Sequence, residues 1–149
     1  MRKILNRKGF TLVEVLLVVV IIAILAAIVI VAINPARQIS QANNTQRSTD
    51  VKTILNAVHE YAIDNRGVLP TAITATATVV GSGAAQIDIC SLLVPTYVAE
   101  MPFDPTATGA GYTDCTTYDT GYTIMTNASN RVTVAAPGAE LSATISVTQ

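Results

Sequence analysis

Few residues of this 149-residue chain are of a type and spacing that could do chemistry. It has one histidine, His59, so His and Cys cannot build a metal cluster around it, and it reads as a helix-surface residue. There is no Gly-x-Ser-x-Gly elbow, no HExxH pair and no glycine-rich phosphate loop, and a single imidazole leaves little general-base chemistry. Asp104, Asp114 and Asp119 are acidic candidates for a cation, but nothing approaches the spacing of a calcium loop. Asp114 and Asp119 read instead as solvated loop carboxylates. No catalytic residue, cofactor or metal ligand is expected. Two features are left to explain: a carboxylate at the edge of an apolar run, and a pair of cysteines.

The carboxylate is Glu14. From Val15 to Ile33 nineteen consecutive residues carry no charge and no polar side chain. As a helix they would rise about 28 Å, close to the thickness of bilayer hydrocarbon. Arg2, Lys3, Arg7 and Lys8 precede the run and no basic residue lies within it, which favours a single-pass segment with a cytoplasmic N-terminus. An ordinary secretory signal would place small residues and a cleavage site after the run. Here Ala32-Ile33-Asn34-Pro35 follows, with proline where a cleaved chain would begin. An acidic side chain at bilayer depth costs about 2.5–3.5 kcal/mol on insertion scales unless it is paired. Glu14 therefore needs a cation.

Arg7-Lys8-Gly9-Phe10-Thr11-Leu12-Val13-Glu14-Val15-Leu16 resembles the leader junction of type IV prepilins and pseudopilins. The resemblance implies that a prepilin peptidase cuts after Gly9, that Phe10 becomes the N-methylated first residue, and that Glu14 is the fifth. It implies three parts: a leader (1–9), a transmembrane and assembly helix (10–33) and a pilin-like head (34–149). The expected partners are copies of the same subunit, the peptidase, an inner-membrane assembly platform, and lipid before assembly. Cleavage would free an amine at the edge of the hydrocarbon, giving Glu14 a cation on its own chain or a neighbour. Pairing across subunits would reward correct axial register. Two further stretches resemble the family. Asp50, Ile54, Ala57, Tyr61, Asp64, Asn65, Gly67 and Pro70 follow a pattern common in pilins and major pseudopilins, and Met101-Pro102-Phe103-Asp104-Pro105 is similar to a pseudopilin element in whose neighbourhood some relatives hold calcium.

The rest of the chain must position this segment. Asn34-Pro35 suits a helix restart, with Asn as cap and Pro at the first helical position. Polar residues follow. Then Val51, Ile54, Leu55, Val58, Tyr61 and Ala62 recur at helical spacing, with Asp50, Lys52, Glu60 and Asp64 pointing elsewhere. Asn65-Arg66-Gly67 is the stop, so a helix is predicted from Pro35 to about Asn65. Thr71–Gln86 reads as a loop with one weak strand at Thr76–Val80, and Ile87–Val98 as a helical turn or two broken by Pro95. Gly121–Thr126 and Arg131–Ala135 alternate as strands around an Asn127–Asn130 turn, and Ala143–Val147 supplies a third. The expected fold is α+β: a long N-terminal helix packed on a small antiparallel sheet.

That body has few large hydrophobes, so its core is thin and needs a long helix or a cross-link. Cys90 and Cys115 lie 25 positions apart. In an exported body they read as one disulfide; in a reducing compartment they would be two free thiols. If the four leading basic residues leave with a leader, five basic residues face ten acidic ones, a net of −5. Such a body argues against general nucleic-acid binding.

The expected function is that of a structural, non-enzymatic filament subunit. The filament would be a surface pilus or the pseudopilus of a type II secretion system, at the cell surface or in the periplasm. The disulfide leans towards the first and the Asp104-Pro105 region towards the second. The alternative is a lone membrane-anchored binding module, which predicts no processing at Gly9.

Overall fold

The computed structural model describes residues 9–149, so Arg2, Lys3, Arg7 and Lys8 of the expected leader lie outside the described residues. The chain forms two units, which divide between Gln38 and Ile39.

In the first unit, helix α1 spans Leu12–Ile33. Thr11 caps it: its hydroxyl accepts from the Glu14 amide at 3.2 Å. The large apolar side chains from Leu12 to Ile30 are exposed on every side of the helix. A helix with no polar face belongs inside lipid or a larger protein core, and Leu12–Ile30 is long and apolar enough to cross a membrane. The helix stops at Asn34, whose backbone is left-handed with φ 44°. The same residue starts the next helix, because its side-chain oxygen accepts from the Arg37 amide at 3.3 Å. Asparagine tolerates this conformation and Pro35 has no amide to satisfy, so the predicted restart is observed.

Helix α2 spans Pro35–Asp64. From Ile39 onward it belongs to the second unit, where Arg47, Val51, Ile54, Leu55, Ala57, Val58 and Ala62 are buried. Its end is closed by Gly67 at φ 86°, whose amide donates to the Ala62 carbonyl at 2.7 Å. The sheet contains β1 (Thr78–Gly81), β2 (Gly111–Asp114), β3 (Thr117–Thr126), β4 (Val132–Ala136) and β5 (Ile145–Thr148). Its order is β1-β3-β4-β5, with β2 also paired to β3, and every pairing is antiparallel. Tyr118, Thr120, Tyr122 and Ile124 alternate inward on β3, and Val132, Val134 and Ala136 on β4. They close one apolar core with Val51, Ile54 and Val58 of the helix.

Three sequence expectations need correction. The strand read at Gly121 starts at Thr117, because Gly121 at φ 69° bends β3 without ending it. β2 was unforeseen. The helical turns read across Ile87–Val98 shrink to the four-residue α3, Cys90–Leu93. The Cys90–Cys115 disulfide is present, with Cα atoms 5.2 Å apart, and ties α3 to the turn between β2 and β3.

Candidate functional site

From Gly9 onward, the segment singled out by sequence is exposed. Gly9 and Phe10 are exposed, Phe10 at 82%. Thr11-Leu12-Val13-Glu14 has the spacing of a capping box, in which the acidic side chain would return to the cap amide. Only half of that box forms. The Glu14 amide is bonded to Thr11, while the Glu14 carboxylate has no hydrogen bond or ion pair among the described residues. The positive end of the α1 dipole offers it a fraction of a charge, worth typically about 0.3–1 kcal/mol. That is less than the cost of placing it in hydrocarbon.

A second charged group, missed in the sequence, lies inside the second unit. Arg47 is fully buried, and all five of its N–H groups are used. Nε and Nη2 grip the two carboxylate oxygens of Asp104 at 2.7 and 2.9 Å. Nη1 donates to Asn44 Oδ1 at 2.9 Å and Glu140 Oε2 at 2.8 Å, and Nη2 also donates to the Thr106 hydroxyl. Asp104 Oδ1 accepts the amides of Thr106 and Ala107 at 2.8 and 3.1 Å. Glu140 accepts from Ser40 Oγ at 2.8 Å and Asn43 Nδ2 at 2.9 Å, and its backbone exchanges two bonds with the Asn44 side chain. Two glycines make room. A Cβ on Gly121 would meet Asp104 Cβ at 3.2 Å, and one on Gly138 would meet Asp104 Oδ2 at 2.7 Å.

The electrostatics follow from this pairing. The bond to Asp104 raises the Arg47 pKa further above its ordinary range. Burial alone would raise the Asp104 pKa, but Arg47 and the loop amides outweigh it and hold the carboxyl below the usual carboxylate range. Asn43, Arg47 and Ser40 lower Glu140 in the same way. Asp50 goes the other way: burial raises it, only partly offset by the Tyr122 hydroxyl that donates to it at 2.7 Å.

With every donor and most acceptors taken, the cluster has no group free to attack a substrate or carry a proton. It is a clasp. It fixes the Asp104–Ala107 loop and the turn through Glu140 to the start of the head's helix. The three acidic candidates for a cation do not converge. Asp104 is held by Arg47, Asp114 Oδ1 caps the turn at Thr116 and Thr117, and Asp119 accepts from Gln86 and Gly121. Among the described residues no group of three His, Cys, Asp or Glu side chains is placed to hold a metal. His59, read as a surface residue, is half-buried, and its Nε2 is buried without a partner among the described residues.

Arg47 had a sequence signal. It stands four residues before Val51 and seven before Ile54, in phase with the apolar stripe, so helix geometry turns it inward. Glu140 had none, because its partners are about a hundred positions away in the chain.

Residues 4–30 match a family model described as the prokaryotic N-terminal methylation motif. No curated protein and no solved structure matches the chain. The matched motif covers the open segment around Gly9, Phe10 and Glu14, and the structure behind it is an apolar helix, a second helix and a small antiparallel sheet. On these grounds the chain carries the N-terminal methylation motif on a pilin-like α+β arrangement, which supports a precursor of the type IV pilin or pseudopilin kind.

Proposed function

We propose that the chain is cut between Gly9 and Phe10 by a prepilin peptidase, methylated at the Phe10 amine, and polymerised through α1 into a pilus-like filament. Before assembly α1 (within 10–33) anchors the protein as a single-pass segment with residues 1–9 in the cytoplasm. After assembly the head (34–149) faces the periplasm or the cell surface. An inner-membrane platform would extract the subunits from lipid.

The observation that carries this reading is the state of α1. It is a 22-residue helix whose large apolar side chains from Leu12 to Ile30 are exposed, and its first turn holds a carboxylate with no partner among the described residues. Lipid satisfies the apolar surface but not Glu14. A neighbouring copy satisfies both, through packing of apolar side chains and through the amine that cleavage creates at Phe10. Hydrocarbon and protein core are similarly apolar, so the gain comes from close packing and from charge register.

Intact-mass and N-terminal analysis of protein sheared from cells tests it. The expected product begins at N-methylated Phe10. Recovery of the chain with its basic leader attached would overturn the proposal and favour a lone membrane-anchored module.

A further inference from the structure

We propose that the face of the β2–β3 ladder turned away from the core binds an alkylammonium group, the chemistry of a lysine side chain, at Asp119. The site lies wholly within the second unit, so it stands apart from the assembly reading. Alternation along β3 turns Tyr118 and Thr120 to the core and Asp119 to the opposite face. Its neighbours across the ladder are both glycine, Gly81 of β1 on one side and Gly111 of β2 on the other. The two sides are filled differently. Over Gly81 lies the Gln86 side chain: a Cβ there would run into its amide, which donates to Asp119 Oδ2 at 2.6 Å. A Cβ on Gly111 would meet nothing within 4 Å. There the surface opens into a recess of about 390 Å³, with Phe103, Ala110, Gly111, Thr117 and Asp119 in its lining.

The charge in this recess is unanswered. Asp119 Oδ1 accepts the Gly121 amide at 2.8 Å and Oδ2 the Gln86 amide, so each oxygen keeps one lone pair. Among the described residues Asp119 has no ion pair. Residues 39–149 carry nine carboxylates and four basic side chains, and one of the four, Arg47, is sealed inside the clasp. The net field of the head therefore favours a cation.

The lining narrows the class of cation. A neutral hydroxyl would satisfy a lone pair but leave the charge, whereas a cation meets both needs. Phe103, 40% exposed, supplies an aromatic wall, which suits an ammonium head and the methylenes behind it. An ammonium has rotatable donors, so it reaches the remaining lone pairs without the planar register that a guanidinium needs. The wall is also set in advance. Asp104, next to Phe103, donates its amide to the Thr120 carbonyl at 2.9 Å, and Arg47 grips its carboxylate. Binding then needs little further ordering.

The test titrates n-pentylamine into the full chain in a non-ionic polyoxyethylene detergent at neutral pH, with amide shifts followed by NMR. Saturable shifts are expected at Gly111, Thr117 and Asp119, and none with n-pentanol, the uncharged counterpart. Asp119→Asn keeps the shape and deletes the charge, and should weaken binding about tenfold. Phe103→Leu keeps an apolar wall without the ring and should weaken it about threefold. Gly111→Val fills the recess where a Cβ meets nothing, so binding should be lost while the unfolding midpoint stays. Nα-acetyl-lysine methylamide and cadaverine then separate a polypeptide's lysine from a free diamine, the tighter binder naming the source. Equal shifts with n-pentanol, undiminished binding by Asp119→Asn or Gly111→Val, or no saturable shift at all would overturn the proposal. Saturation by calcium with no response to n-pentylamine would overturn it too, making Asp119 a metal ligand instead.

Discussion

Two regions of this chain set a charge against apolar residues, and they resolve it in opposite ways. In the head, Arg47 has no exposed surface, yet every donor meets an oxygen supplied by the same chain. In α1, Glu14 faces an equally apolar sequence and its carboxylate meets nothing among the described residues. A buried polar group is tolerated when its partners are complete, and is costly when they are not. The head is thus a finished object within one polypeptide. The N-terminal helix has no such completion among the described residues, and substitutions in the two regions should fail differently.

The largest effect should come from breaking the finished side. Arg47→Ala leaves Asp104, 2% exposed, without its counter-ion. Removing one partner of a buried pair costs about 3–5 kcal/mol. Denaturant unfolding of the detergent-solubilised chain, followed by tyrosine circular dichroism, should show that loss. Arg47→Met combined with Asp104→Leu should lose less than the two single changes together, because no orphaned charge remains. A loss under about 1 kcal/mol for Arg47→Ala would mean the clasp is incidental.

Next comes the cross-link. Replacing Cys90 and Cys115 by alanine frees a loop of 25 positions. The chain-entropy estimate for such a loop is about 3 kcal/mol. The same unfolding measurement should show it, while the helicity contributed by α1 in detergent stays unchanged, since the disulfide lies entirely in the second unit.

A smaller and more discriminating effect is the pH dependence of the head. Asp104 and Glu140 have lowered pKa values in the fold, so their contribution is present above the ordinary carboxylate range. It is lost as pH falls through the lowered values. Asp50 is raised, so its charged form costs stability above that range, and protonation relieves the cost. Asp104→Asn should therefore destabilise at neutral pH, with a penalty that fades on acidification below about pH 4. Asp50→Asn should be neutral or stabilising at neutral pH, and it keeps an acceptor for Tyr122. Opposite pH trends for the two variants support the pairing; parallel trends refute it.

Much of this contrast is legible in the order of residues along the chain. Local chemistry sets the helix boundaries at Asn34-Pro35 and Gly67, and helical spacing identifies Val51, Ile54 and Val58 as core. The hairpin around Asn127–Asn130 follows from alternation. What escapes depends on contacts distant in sequence. β2 is four residues long, half-exposed and flanked by Gly109 and Cys115, so it has no pattern of its own; its existence comes from pairing with β3. Gly121 looks like a boundary because glycine usually is one, whereas here the sheet on both sides and the approach of Asp104 hold it within a strand. At the site, Gly9, Phe10 and Glu14 stand out in the sequence by type and spacing, but the clasp does not. Arg47 is in phase with the stripe, yet its three carboxylate bonds come from residues 57 and 93 positions away.

The smallest expected effect on stability falls on the unfinished side, and it is the sharpest test of the comparison. Glu14→Ala removes a carboxylate of the first unit that has no hydrogen bond or ion pair among the described residues, so the head's unfolding midpoint should not move. Insertion into the membrane should be retained or improved, because a carboxylate in hydrocarbon is a cost rather than a support. Under the proposed assembly, filament yield, by contrast, should fall steeply, since an amine freed at Phe10 would lose the group proposed to set one subunit against the next. Glu14→Gln separates the causes: it keeps size and hydrogen bonding and deletes only the charge. If Glu14→Gln assembles as wild type while Glu14→Ala does not, shape rather than charge register selects the neighbour. If both assemble normally, α1 is completed by apolar packing alone, and the unpaired carboxylate is not what ties one copy to another.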